Sequence, residues 1–475
     1  MLNSTSNHFK ENAVHAINDV KLQSSLNKLE TGLQLKRKKA VAKRSDFEQM
    51  REHAEYIRKD AIAHMPQYLE TFEENVVASG GKVHWAETDK QAQNIIYDIC
   101  KSVSAKRVAK GKSMATEEIA LNEFLIEKGI ATTETDLGEY ILQLRDEHPS
   151  HIVVPAFHLN KEDISDTFRH SHSERDTQRE IDSPQALVKE ARDEMRKHFQ
   201  NADIGITGAN FLVAETGSTV IVTNEGNGDI CQTLPEVHIV VAGIDKIVKS
   251  LDNTATLLRL LSRSATGQDA TAYVTFSTGV RAENNFDGPK QFHVVLLDNG
   301  RSSLVGTENE AVLQCIRCGA CMNHCPVYGS VGGHAYGWVY PGPIGSALNP
   351  GLLDVASTHQ LPNASTFCGR CDEVCPVKIP LTTIMRNWRT TAYETKVTPL
   401  FERLSLRAWL FLSSRPKLFH MTTSIAMPVL ALLGRKKGHF TKLPFLGAWT
   451  STRNFPTPEG ATFYSLTRKR RANND

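Results

Sequence analysis

Seven of the nine cysteines lie between positions 315 and 375, in the runs CIRCGACMNHCP (315–326) and CGRCDEVCP (368–376). No other feature of the 475-residue chain restricts its possible folds so strongly. Three thiolates spaced CxxCxxC on one tight loop reach three corners of a single iron-sulfur cubane. A fourth, three residues on and followed by proline, turns toward a neighbouring cluster. The spacing therefore predicts crossed ligation: Cys315, Cys318, Cys321 and Cys375 hold a first cluster, and Cys325, Cys368 and Cys371 supply a second. Where the first thiolate of a complete second motif would stand, the chain has Ser365. Two clusters of 4Fe-4S type are the expectation. At the second, a three-iron cluster, ligation by Ser365, and an iron left to solvent or a small molecule all stay open. Structural zinc favours paired CxxC or CxxC with histidines and does not account for the two CP endings, Pro326 and Pro376.

A net charge of +2 with 23% charged residues gives no reason to expect nucleic acid as a partner. The opening stretch MLNSTSNHFKENAVHAIND lacks the apolar core of a signal peptide, and the cysteines are clustered rather than spread as a disulfide framework, so a cytoplasmic location is expected. No stretch approaches the ~20 apolar residues of a membrane span, which leaves peripheral contact with the inner face of the membrane.

Residues 20–75 read as helix, with LKRKKAVAKR (35–44) as a basic, solvated face. From Gly80 the texture becomes α/β. Strands are expected at Lys82–Ala86, at His151–Phe157 and densely from Ala202 to Gly243, with two more from Ala272 and Lys290. Helices are expected over 88–109, Thr116–Lys128, 137–146 and from Ser183-Pro184 to about 200, serine as N-cap and proline at the first helical position. A helix over Glu308–Gln314 leads into the cysteines. The glycine- and proline-rich stretch between the two runs (327–364) reads as a packed loop, whose Tyr336, Trp338 and Tyr340 would cover the clusters against water.

TETDLGEYILQL (133–144), PSHIVVPAFH (149–158), ADIGITGANFLVAETGSTVIVTNEGN (202–227), SATGQDATAYVTFSTG (264–279), the seven cysteines and an apolar-basic tail together resemble the lactate-utilisation iron-sulfur proteins. These form the middle subunit of a three-component bacterial L-lactate oxidation system. The resemblance covers nearly the whole chain, and the family shares the three-cysteine second run. It implies an α/β lactate-utilisation domain with a fold similar to sugar-phosphate isomerases and coenzyme A transferases, followed by a helical ferredoxin-type domain. It also implies electron transport from lactate oxidation toward a respiratory acceptor, beside a cysteine-rich subunit and a subunit carrying only the lactate-utilisation domain. The expected division is a helical extension (1–75), the α/β domain (76–302), the two-cluster domain (303–395) and a docking segment (396–475). From 401 onward that segment carries 13 Lys and Arg against 3 Asp and Glu, interleaved with AWLFL and SIAMPVLALLG, and reads as a surface for an acidic partner subunit or anionic lipid.

Outside the cysteines the signals are weaker. Asp136 with Glu139 matches a capping box opening the helix at 137, which explains these residues and Glu134 better than a metal site does. Glu215 and Glu225 sit beside glycines at strand ends, where α/β domains bind ligands, and backbone N–H groups at Gly205 to Gly208 would suit a phosphate or coenzyme, although no GxGxxG or GxxxxGK is present. His170, His172 and His198 show no ligand spacing, His324 and His334 lie near the cysteines, and Cys100 and Cys231 read as small buried side chains. No catalytic residue is assigned, and the absence of a flavin or nicotinamide fingerprint favours an electron-transfer subunit. The rival readings are an enzyme whose three-thiolate cluster binds substrate at an open iron, and a ligand-binding or assembly protein acting through the α/β domain.

Overall fold

The computed structural model describes residues 4–176, 179–443, 450 and 453–474. The chain divides into two compact units, Met1–Glu394 and Thr395–Asp475.

In the first unit the strands are β1 (Lys82–Ala86), β2 (Arg107–Lys110), β3 (Ala131–Glu134), β4 (Ile204–Thr207), β5 (Phe211–Val213), β6 (Ser218–Thr223), β7 (Val237–Gly243), β8 (Ile247–Val248), β9 (Tyr273–Ser277) and β10 (Gln291–Leu297). Six form a wholly parallel sheet in the order β1-β10-β7-β4-β2-β3. A parallel sheet needs cover on both faces, and the alternation along β7 and β10 supplies it. Ile239, Val241, Val295 and Leu297 meet the helices Asp89–Ser102 and Leu121–Glu127 on one side. Val240, Ala242, Val294 and Leu296 meet the helix Met65–Ala78 on the other. A second sheet, β8-β5-β6-β9, joins a core that runs without interruption into the cysteine region and the N-terminal helices.

Four elements differ from the sequence expectation. The helix expected over 88–109 ends at Ser102. The chain turns through Ser104 at positive φ and forms β2, too short to register as a pattern but paired on both edges. The helix expected over Thr116–Lys128 is two, Met114–Glu118 and Leu121–Glu127, broken at left-handed Ala120, which leaves Glu118 fully buried against Arg301 and Tyr340. His151–Phe157 is a turn, because the His151 ring takes the N–H groups of Val153 and Val154, both at 3.0 Å, that a strand would give to a neighbour. Between the cysteine runs the expected loop contains the helix Gly342–Leu352. Pro343 falls in its first turn, where no N–H is needed, and Pro350 near its end. The remaining expected strands form, Ser183 caps Pro184–Gln200 through its hydroxyl, and the expected lead-in helix is a 3-10 turn, Glu310–Gln314.

The second unit holds the helices Leu400–Ser413, Pro416–Gly434 and Phe463–Asn474 and a short pairing of His439–Phe440 with Phe455–Pro456. Leu400–Ser413 buries none of its residues, and Phe401 and Leu432 are 83% and 71% exposed. Pro416–Gly434 corrects the expectation that no stretch approaches a membrane span: by length and composition this 19-residue helix is sufficient to cross a bilayer.

Candidate functional site

The two cysteine runs fold as a repeat. Gly319 after Cys318 and Gly369 after Cys368 both take φ near +75° (73° and 76°), a conformation open to glycine, and each opens a one-turn helix, Ala320–Asn323 and Arg370–Val374. These two helices pack on each other. The correspondence extends one residue before the cysteines, where Arg317 and Phe367 both have positive φ (58° and 54°). It extends to the first ligand position as well. The Arg317 N–H donates to Cys315 Sγ at 3.4 Å, and the Phe367 N–H donates to Ser365 Oγ at 3.1 Å. Ser365 therefore occupies the backbone position that Cys315 has in the first run.

All nine cysteines are free thiols. Cys318, Cys321, Cys371 and Cys375 are buried, Cys315 and Cys325 half-buried, and Cys368 exposed. Burial, with Cys375 and Cys315 alongside, pushes the Cys318 thiol up to about 12, and burial with Cys315 nearby pushes Cys375 to about 11. Cys321 is raised by burial and then by Cys315 and Cys318, with Cys371 and Cys375 also in its field. Cys325 is raised by burial and feels Cys368, and Cys371 is raised by burial and feels Asp372 and Cys325. Cys375 of the second run thus lies in the field of Cys318 and Cys321, Cys325 of the first run lies near Cys368 and Cys371, and Cys371 also lies in the field of Cys321. Thiolates packed this way repel one another and are poorly solvated, a cost that bound iron offsets, and the donor set is the soft one iron-sulfur clusters take. The residues fit such a group.

Further N–H groups point at sulfur, Tyr328 to Cys325 at 3.5 Å and Ile379 to Cys375 at 3.4 Å. Such bonds favour the thiolate and raise a cluster's reduction potential.

Sequence reasoning missed four arginines. Arg37 lies in the run expected to be a solvated face, yet it donates to the Val374 carbonyl at 2.9 Å and lies in the field of Cys318 and Cys375. Arg51 donates to the carbonyls of Cys375, at 2.7 Å from one nitrogen, and Glu373. Arg58, 1% exposed, donates to the carbonyls of Leu313, Gln314 and Ile247 and also to that of Asp245. Arg317, inside the first run, stacks 4.7 Å over the Tyr340 ring and pairs with Asp245 at 3.4 Å. The first three stand more than 250 positions from the cysteines, so no local spacing announces them. Tyr336, Trp338 and Tyr340 are buried, and Tyr336 lies in the field of Cys325, Cys321 and Cys371. His324 and His334 bond to the carbonyls of Ala320 and His148 rather than to sulfur.

In the α/β domain Asp136 caps Leu137–Arg145 by accepting the Glu139 N–H at 3.1 Å, but the reciprocal half of the expected capping box is absent. The Glu139 carboxyl instead turns inward beside Glu117 and Glu134, their ligand atoms within 4.8 Å of one another. Lys110 fills that cluster, its ammonium 2.7 Å from Glu134 and 2.9 Å from Glu117. Burial pushes Glu134 up to about 7 against the pull of Lys110. Glu215 caps the helix Leu251–Ala265 by accepting the Leu251 N–H, and Glu225 is exposed at a cleft rim. Gly205 faces the Cys231 carbonyl so closely that an added Cβ would lie 1.8 Å from it, and Gly208 abuts Ser113, so close packing accounts for both glycines. His172 is buried between Tyr140 and Glu190, His198 meets Thr133, His170 is exposed, and Cys100 and Cys231 are buried. A cavity of about 530 Å³ opens at the carboxyl ends of β2, β4 and β7 and reaches Arg317 and Tyr340.

Known proteins resemble this chain along its length. The LUD domain family matches residues 69–297, the 4Fe-4S dicluster domain family residues 311–379, and the family described as lactate utilisation protein B, C-terminal, residues 393–472. Lactate utilization protein B of Bacillus velezensis is 43% identical over 458 residues, covering 96% of this chain and 95% of its own. The protein of that name from Macrococcus caseolyticus is 43% identical over 459 residues, with the same coverage. A solved duf162 family protein from Deinococcus radiodurans aligns with 49% of this chain and 98% of its own at 12% identity and a TM-score of 0.28, too slight a likeness to bear on the fold.

Proposed function

The chain belongs to the lactate utilization protein B family and carries a 4Fe-4S dicluster domain, and from that premise we propose that it is the electron-transfer subunit of L-lactate oxidation to pyruvate. The observation that carries the reading is the repeat of the two cysteine runs, whose one-turn helices pack on each other and bring thiols of both runs close together. Cys315, Cys318, Cys321 and Cys375 hold one cluster. Cys325, Cys368 and Cys371 hold the other, with Ser365 as the fourth ligand, because its hydroxyl stands where Cys315 stands in the repeat and accepts the equivalent N–H. One-electron transfer is the chemistry that such clusters supply when bound. The protein's own contribution is to hold the thiolates, to surround the first group with the charges of Arg37 and Arg317, and to keep water from the second with Tyr336. Two groups side by side suit a relay better than a substrate centre.

Electrons would pass from a partner-bound lactate-oxidising centre toward a respiratory acceptor, with a cysteine-rich and a LUD-only subunit as partners. The exposed apolar helices Leu400–Ser413 and Pro416–Gly434, with their surplus of Lys and Arg, support the tail as the docking surface for an acidic subunit or, at the inner face of the membrane, for anionic lipid. Binding to anionic vesicles and to the partner subunits that is unchanged after deletion of 395–475 would remove the tail from both roles. The likeness of the α/β domain to sugar-phosphate isomerases and coenzyme A transferases belongs to this proposal too, supported by its parallel sheet and the cleft at the strand ends.

Growth on L-lactate as sole carbon source tests the function, in a strain without other lactate dehydrogenases. Deletion of the gene should abolish growth, the wild-type gene should restore it, and Cys318→Ser should not. Unimpaired growth of the deletion strain would contradict the lactate role, and full rescue by Cys318→Ser the relay.

A further inference from the structure

The cavity at the carboxyl ends of β2, β4 and β7 has polar groups with no partner, and those facing it are chiefly donors. Lys112, just past the end of β2, buries its ammonium with no hydrogen-bond partner, its nearest carboxylate being Glu139 at 3.8 Å. Arg317 is 92% buried by its 8% side-chain exposure, and its Nε and Nη1 are unpaired; only Nη2 reaches Asp245. The Ser262 hydroxyl lines the same cavity, buried and unpaired. Lys246 lines it as well, half-buried, with its pKa pushed down to about 7 by burial and by Arg317, so that a bound anion would favour its charged form. A buried donor left unpaired is costly, and more so when charged, so these groups together call for an occupant that brings acceptors. Carboxylate and phosphate oxygens are acceptors only, and a guanidinium fork matches either. The lining also includes Ile152, Val153, Ile221 and Leu261, which suit a small organic body attached to the charged head, and the carboxylates Asp136 and Glu225.

Position adds a second consequence. Arg317 sits between Cys315 and Cys318, and its own N–H bonds Cys315 sulfur, so charge placed on its side chain is felt at the first cluster site. We propose that this cleft binds a small organic anion through Lys112, Lys246 and Arg317, and that occupancy lowers the reduction potential of the adjoining cluster. The sign follows from electrostatics: a bound negative charge beside Arg317 opposes the arrival of an electron. By linkage, reduction of the cluster must weaken anion binding by the same factor. The binding half stands without the lactate reading; the redox half rests on the cluster assignment above.

The test uses the anaerobically purified holoprotein with L-lactate, pyruvate and inorganic phosphate as separate probes. Binding is followed by calorimetry and the cluster potential by EPR-monitored redox titration. Saturable binding of at least one probe is expected, weakened tenfold or more by Lys112→Met and by Arg317→Gln, with iron content preserved in Lys112→Met and the wild-type potential falling at saturation. Binding of phosphate but neither carboxylate would support the anion site and assign it to phosphate esters. Absence of saturable binding by all three, or binding undiminished in Lys112→Met, would overturn the site. Saturable binding with an unmoved potential would overturn the link through Arg317. Growth on lactate is a separate readout, so failure here and failure of the lactate role are distinguishable.

Discussion

Arg58 donates from a buried guanidinium to carbonyls of two separate segments, Leu313 and Gln314 at the end of the Glu310–Gln314 turn, and Asp245 and Ile247 where the chain enters β8. Its removal leaves those carbonyls unpaired and takes a cation from the neighbourhood of Asp245, which is already shared by Arg301 and Arg317. A buried carbonyl left without its donor costs roughly 1–3 kcal/mol. Arg58→Met is therefore expected to lower the urea midpoint sharply and to reduce the iron retained per chain, Arg58→Lys less so; an unchanged midpoint would contradict the role given to Arg58. Histidines set a pH dependence of definite sign. His238 in β7 is buried, bonded to the Thr207 hydroxyl at 2.8 Å, and burial pushes its pKa down to about 3. The unfolded ring takes a proton near pH 6.5, so below that value the unfolded state binds more protons. The contribution of His238 is complete above about pH 6.5 and is lost as pH falls toward 3. Between pH 7 and 5.5 that loss is about 1 kcal/mol. The difference in unfolding free energy between these pH values should shrink by that amount in His238→Gln, and an equal pH dependence in both proteins would show that the folded ring protonates normally.

The helix Gly342–Leu352 shows how an element can be present where composition argues against it. Pro343 occupies the first turn, where no N–H is needed, Pro350 gives up one N–H near the end, and Gly345 is required because a Cβ there would lie 1.7 Å from the Tyr340 carbonyl oxygen. Gly345→Ala is expected to displace Tyr340 from beneath Arg317 and to yield protein with a depleted first cluster; full iron content with unaltered near-UV circular dichroism would refute this. The same element marks the boundary of what sequence can disclose. The cysteine spacing, the Ser183 and Asp136 caps and the buried strands β7 and β10 were legible, because each depends on residues a few positions apart. β2 was hidden, since four residues have no period to read and its pairing partners come from positions 131–134 and 204–206. His151–Phe157 looked like a strand because its apolar run is ambiguous without knowledge of the His151 ring. The arginines around the cysteines and the donors of the cleft come from positions 37, 51, 58, 112, 246 and 317, an assembly that only the tertiary fold creates.

At the scale of the whole molecule, one continuous core joins the N-terminal helices, the second sheet and the cysteine runs, so the α/β domain and the cluster region of the first unit fold as one body. Six of the seven clustered thiols are buried or half-buried in this body, with arginine and aromatic cover, Cys368 alone is exposed, and exposed apolar side chains are densest in the second unit. That distribution is what a relay docking to partners through a separate surface requires, and it makes cluster number and crossed ligation the point on which the account stands or falls. The most direct measurement is anaerobic iron and sulfide analysis with Mössbauer and EPR spectroscopy, on the wild type and on Cys375→Ser and Cys325→Ser. About seven to eight iron per wild-type chain are expected, in two interacting clusters. Crossed ligation further requires that Cys375→Ser alter the cluster held by the first run and Cys325→Ser the one held by the second. About four iron per chain in a single cluster, or each substitution altering the cluster of its own run, would contradict it.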